Sequence, residues 1–311
     1  MPPEAGQDWR EILVAAAALR TGVLEAFGEG SSPTQVASRT GLDARGVRIV
    51  GRALQEQAYL ESRGDRLALT AKGREALHLE EGAGLGADLL LGERAIRNHL
   101  ALDEVLAGGP SRDDVSSGGL EQRRRFMAAM RHISTPRAPV AAKELGSPPP
   151  GGRLLDIGGA PGTYGSAFAA SGWKVTVFDL PDTLAAVAGD LAARGLSTIG
   201  GDATEALPEG PWDAIYLGNV LHLFDASTAS AMVGRAAHAL ADGGVMAIQE
   251  MMLGRAPQAA NFAVMMLVST PTGEVYSEQT YRGWMRQSGV EPLRVVDLDE
   301  REHQLLLGRR R

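Results

Sequence analysis

No cysteine occurs in the chain, so neither a disulfide nor a thiolate metal site is possible. No apolar run approaches the roughly 20 residues needed to cross a bilayer. The opening stretch MPPEAGQDWR lacks the basic-then-apolar layout of a secretory signal, and the short apolar ILVAAAALR reads as a buried helix. With no membrane span and no leader, the expected location is the cytoplasm. Positive charge is also scarce. The 31 Lys and Arg against 38 Asp and Glu leave a net charge of −7, which disfavours loose attraction to nucleic acid or anionic lipid. What remains is a globular balance of 44% apolar and 22% charged residues over 311 positions. That is room for one large or two ordinary domains.

Two regions differ in texture. In SPTQVASRTGL, Ser32 caps a helix with Pro33 at its first position, and a glycine turn follows. Asp43 caps the next helix, with Val47, Val50, Leu54 and Ala58 expected on one buried stripe. LESRGDRLALT reads as two short strands around Gly64-Asp65, and Thr70 caps a further helix. Helix, turn, helix, hairpin is the winged-helix pattern. Helices continue through 85–145, and GSPPPGG at 146–152 stops helix and strand alike. The predicted division is therefore a mainly α domain over 1–145 and a second domain over 146–311. The second alternates strand and helix, as in a parallel sheet covered on both faces. LRVVDL and HQLLLGR close one edge of it.

Chemistry concentrates at strand ends. In LLDIGGAPGTYG a strand gives way to bare backbone at Gly158, Gly159 and Gly162 and then to a helix. No register of the loop supplies the three glycines of a dinucleotide fingerprint. The spacing suits a nucleoside with an amino-acid tail, with no pyrophosphate to cradle. Asp156, Asp179 and Asp202 come at three successive strand ends, where open α/β sheets bind ligands. A lone strand-end Asp is usually a helix cap; three beside a glycine loop point to a ligand rim. In AIYLGNVLHLFDAST, His222 follows the fourth strand. It is either a base or a neutral ring filling a gap.

These motifs resemble the class I O-methyltransferases that use S-adenosylmethionine on small molecules. The nearer likeness is to caffeate and hydroxyindole O-methyltransferases and their bacterial antibiotic-pathway relatives. The resemblance covers nearly the whole chain. It implies a homodimer joined by an N-terminal winged-helix domain, followed by a Rossmann-like catalytic domain. VFDLP implies Asp179 on the ribose with Leu180 beside it, and GGDA implies Asp202 and Ala203 flanking the adenine. Asp156, Gly158, Gly159, Gly162 and Asn219 complete the implied S-adenosylmethionine site. His222 falls on the family's general base, and Glu250 on the first carboxylate that orients it. The second orienting position falls on Val275, with Glu274 one residue early. The acidic run after the base is thinned to Asp225. The implied acceptor residues are Phe126, Met130 and His132 from FMAAMRH, with Asn261, Met265 and Met266 from NFAVMM. The acceptor is expected to be a small aromatic or polyketide-like hydroxyl compound, with no metal required.

Two rivals stand beside this. A winged helix also suits a DNA-binding regulator, but residues 31 to 80 hold eight Lys and Arg against six Asp and Glu, too little for a phosphate-binding face. The thinned base region also allows the same fold and cofactor to serve decarboxylation, hydroxylation or pericyclic rearrangement, or methyl transfer to nitrogen or carbon.

Overall fold

The computed structural model describes residues 9–79, 84–112, 119–300 and 302–311. They form two compact units: the first runs to Leu100 and includes Arg124–His132, and the second comprises Ala101–Arg123 and Ile133–Arg311. Among the described residues no helix is long and apolar enough to cross a membrane.

In the first unit, α1 (Trp9–Arg20) and α2 (Val23–Phe27) precede α3 (Pro33–Thr40) and α4 (Ala44–Glu56). The Ser32 hydroxyl accepts from the Gln35 N–H and the Gln35 side chain accepts from the Ser32 N–H, a reciprocal capping box. Asp43 caps α4 through the Gly46 N–H at 2.6 Å. The hairpin β1 (Leu60–Arg63) and β2 (Arg66–Leu69) turns at left-handed Gly64, and Thr70 caps α5 (Ala71–Ala76). This is the helix–helix–hairpin order expected, with one correction. The α4 stripe is Val47, Gly51 and Leu54, with Val50 partly buried against the same core; the helix ends at Glu56, and Ala58 is exposed in a left-handed turn. Gly51 joins the stripe because a side chain there would press on the Phe27 ring, at 3.0 Å. α6 (Leu85–His99) follows; α7 (Leu102–Leu106) belongs to the second unit, and α8 (Leu120–Ser134) gives Arg124–His132 to the first.

The proline run lies inside the second unit, as do Ala101–Arg123 and residues 133–145 before it; the Trp173 indole donates to the Gly146 carbonyl and the Lys174 N–H to that of Gly152, both at 2.9 Å. After α9 (Ala138–Leu145) come β3 (Arg153–Ile157), α10 (Thr163–Ala170), β4 (Lys174–Asp179), α11 (Pro181–Ala193), β5 (Ser197–Gly200) and β6 (Trp212–Gly218). They continue into α12 (Ala226–Ala239), β7 (Leu240–Glu250), α13 (Ala259–Ser269), α14 (Glu278–Gln287), β8 (Val290–Asp297) and β9 (Gln304–Arg310). The sheet order is β5-β4-β3-β6-β7-β9-β8, with only β9 antiparallel to its neighbours.

Alternation along the strands gives the sheet two different faces. Leu155, Ile157, Ile215, Leu217, Met246 and Ile248 pack with Val233 of α12 and Met285 of α14 in one apolar core. Each such side chain contributes about 1.5–3 kcal/mol on burial. The opposite face carries Asp156, Tyr216 and Gln249, and is covered by α10, whose Tyr164 and Phe168 rings stand 5.2 and 4.9 Å from that of Tyr216. Order reverses between β3 and β6, and the carboxyl ends there open the crevice where such sheets place ligands.

Candidate active site

The turn after β3 is held by main chain. Gly158 and Gly162 adopt left-handed φ values of 67° and 80°, which a side chain would strain. The Gly158 N–H donates to Phe178 and that of Gly162 to Gly159. A side chain on Gly159 would stand 2.5 Å from the Asp156 carboxyl carbon. Asp156 is therefore not an open rim residue: it is 1% exposed, lies beneath the glycine turn, and its Oδ2 has no hydrogen-bond partner. Asp179 does reach the rim. Its two oxygens accept from the Ala160 N–H at 3.1 Å and the Leu180 N–H at 2.8 Å, so the carboxylate joins β4 to the glycine turn. Leu180 itself is exposed. Asp202 lies two residues past β5 and caps its own turn through the N–H and hydroxyl of Thr204. Ala203 is anchored by Arg235, whose Nε donates to its carbonyl at 3.1 Å.

Burial dominates the electrostatics here. It pushes the Asp156 carboxyl up to about 8, helped by the nearby Asp179 charge and opposed by the Gly165 N–H. Asp179 is pushed up to about 6 by the same cause, against its two N–H donors and the Arg123 guanidinium.

Two strand ends bring His222 and Glu250 together. β6 ends at Gly218, and Asn219 turns back with φ 55° while its N–H donates to the Gln249 carbonyl at 2.9 Å. The single turn Leu221–Leu223 then directs the His222 ring at the end of β7. Glu250 Oε2 lies 2.6 Å from His222 Nδ1, and Oε1 accepts from the Leu221 N–H at 2.9 Å. The histidine is 7% exposed and the glutamate 1%. A buried carboxylate on Nδ1 holds the proton there and leaves Nε2 as a bare acceptor. Phe262 meets the ring edge-on at 4.9 Å between centroids.

Other expected residues are less convergent. The Glu274 side chain is exposed; what it gives His222 is its backbone N–H, to the histidine carbonyl at 3.0 Å. Val275 is buried, and Asp225 caps α12 through the Ser227 and Thr228 N–H groups. Met265 and Met266 are buried on α13, but Asn261 is exposed and bonded to Gln258. Phe126, Met130 and His132 belong to the first unit. There the Arg94 guanidinium lies over the Phe126 ring, Met130 packs beside Ala87 and Ala129, and His132 Nε2 is 3.9 Å from Asp88. Phe262 is absent from the sequence-based site, although its i, i+3, i+4 spacing with Met265 and Met266 places the three on one helical face.

Comparison with known proteins decides the family. The model of the O-methyltransferase domain matches residues 120–291. The chain belongs to the O-methyltransferase family. This O-methyltransferase is 26% identical over 298 residues to the 3-hydroxy-5-methyl-1-naphthoate 3-O-methyltransferase of Streptomyces sahachiroi, covering 90% of this chain and 86% of that one. Among solved structures, an O-methyltransferase family protein from Burkholderia thailandensis superposes with a TM-score of 0.83 at 24% identity, covering 97% and 95% of the two chains. Human N-acetylserotonin methyltransferase, solved in complex with S-adenosylmethionine, gives a TM-score of 0.80 at 19% identity over 98% and 99%. The family resemblance seen in the motifs is borne out, and the alternative of other chemistry on the same fold and cofactor is not favoured.

The buried Asp156 makes stability fall with rising pH. Its carboxyl ionises near 4 in the unfolded chain, by the usual range of about 3.9, and near about 8 in the fold. Ionisation is thus costlier in the folded state, and stability is lost as pH climbs through that window. The ligand-free enzyme is expected to lose on the order of a few kcal/mol between pH 5 and 8.5. In Asp156→Asn that slope should flatten in urea titrations at several pH values; parallel slopes would contradict the assignment.

Proposed function

We propose that this O-methyltransferase moves the methyl group of S-adenosylmethionine to a hydroxyl of a small aromatic or polyketide-like acceptor, with His222 as general base. The observation that carries the proposal is the buried Glu250–His222 pair at 2.6 Å. It leaves a neutral imidazole with its lone pair on Nε2. A neutral imidazole with that lone pair free is suited to take a proton from an acidic hydroxyl as that oxygen attacks. Glu250 then stabilises the imidazolium that forms. The Leu221 N–H on its other oxygen keeps the carboxylate in place, and Phe262 limits ring rotation.

S-adenosylmethionine supplies, when bound, a methyl group on a positively charged sulfur. The residues at the strand ends fit it. The side-chain-free turn Gly158–Gly162 suits the amino-acid tail, Asp179 the ribose diol with Leu180 beside it, and Asp202 and Ala203 the adenine, with Asn219 closing the far side. Each Asp179 oxygen accepts one N–H, which leaves further acceptor capacity on both. The unpartnered Asp156 Oδ2 and the two raised carboxyls are relieved by a ligand of positive charge. Met265 and Met266, with Phe262, supply adaptable apolar surface for a flat acceptor; the Streptomyces relative, named for a hydroxynaphthoate, supports that class. Most of the acceleration then comes from holding the hydroxyl in line with the methyl–sulfur bond.

In His222→Gln, turnover is expected to fall about 10²- to 10⁴-fold, and in Glu250→Gln about 10- to 100-fold. Affinity for S-adenosylhomocysteine by calorimetry should hold in both. Full turnover in His222→Gln removes the base assignment.

We also propose a homodimer through the first unit. Ile49 on α4 is 46% exposed, with Leu42 at 38% and Trp9 at 52%, apolar surface of the kind a partner chain covers. Sedimentation should give twice the chain mass, and Ile49→Asp should shift the population toward monomer. A monomeric wild type at micromolar concentration would refute this.

A further inference from the structure

The sheet face opposite the apolar core holds a polar chain for which methyl transfer as set out above has no use. Tyr216, on β6, donates its hydroxyl proton to Gln249 Oε1, and Gln249 Nε2 donates to the Tyr164 hydroxyl at 2.6 Å. Tyr216 is 1% exposed, Gln249 0% and Tyr164 8%. Burying these groups in place of apolar side chains gains little stability even when every bond is made. What such a network adds is geometric definition.

Its members sit on the three elements that build the site. Tyr164 is in the first turn of α10, two residues past Gly162 of the glycine turn. Tyr216 precedes the turn that carries Asn219 and His222. Its ring fills the space beside Gly218, where a side-chain carbon would stand 2.3 Å from it, so the ring packs directly against the end of the strand that leads into that turn. Gln249 is the junction. Its side chain joins both tyrosines, its carbonyl holds the Asn219 N–H at 2.9 Å, and the next residue, Glu250, holds the His222 ring.

We propose that Gln249 is a positioning residue, which through Tyr164 and Tyr216 ties the glycine-turn helix to the Glu250–His222 pair and so keeps His222 in one tautomer. Its catalytic consequence rests on His222 being the base, but its structural consequence does not. The network acts on the angle at which Glu250 meets Nδ1, and loss of that angle frees the ring to exchange tautomers.

The test uses the full chain labelled with ring-15N histidine, the His222 signals being assigned by their loss in His222→Gln. In wild type the His222 resonances should show a single tautomer, protonated on Nδ1. In Gln249→Met, which keeps the volume, they should move to the averaged positions of a tautomer mixture, with kcat down about 10- to 100-fold and the acceptor KM within about twofold. Tyr216→Phe, which removes one hydroxyl and little else, should shift the signals in the same direction by less. Ile248→Val loosens the same strand from its other face; it should lower the melting temperature and leave the His222 resonances unmoved. Unchanged resonances in both Gln249→Met and Tyr216→Phe would overturn the proposal. Shifted resonances together with a fully active His222→Gln would uphold Gln249 as a positioning residue while removing the base assignment.

Discussion

A carboxylate bonded to an imidazole in a water-poor site is the contact on which this architecture turns. Glu250 gives one oxygen to His222 Nδ1 and the other to the Leu221 N–H. Both groups are almost wholly buried, so the carboxylate depends on its hydrogen-bond donors to offset the cost of burial. These bonds join the ends of β6 and β7 in addition to the ladder between them. The other ring nitrogen, Nε2, is left for the role of proton acceptor.

The rest of the crevice is built from main chain and carboxylates. Left-handed glycines let the first turn close over Asp156, and Asp179 bonds that turn to β4. The cost is visible in the carboxyls, both raised by burial. A sulfonium compound bearing an ammonium group suits the Asp179 carboxylate better than a nucleotide, whose phosphates would repel it.

Much of this was legible in the residue order, and the exceptions share a cause. Ser32, Asp43 and Thr70 announce their helices because capping is a local matter settled within four residues. The parallel sheet follows from alternating apolar runs and helices. The family was legible in VFDLP and the glycine turn, and the match over residues 120–291 agrees. Ala58 fell off its stripe because α4 ends at Glu56 and the chain turns at Ala58 with φ 60°, a conformation that residue spacing does not announce. The proline run, read as the start of the second domain, is fastened to the second unit by hydrogen bonds from Trp173 and Lys174, while the grouping of Ala101–Arg123 and residues 133–145 with that unit depends on contacts distant in sequence. Asp156 looked like its two neighbours because depth beneath a turn leaves no mark in spacing. Phe262 and Gln249 went unnoticed since their roles depend on which strand and helix lie across from them.

The decisive observation is a crystal structure with S-adenosylhomocysteine and a hydroxylated aromatic acceptor both bound. The acceptor oxygen should lie within hydrogen-bond distance of His222 Nε2, about 2.6–3.2 Å, with Glu250 still on Nδ1. An acceptor hydroxyl seated against another group, with His222 Nε2 turned to a protein partner, would contradict the role given to the pair.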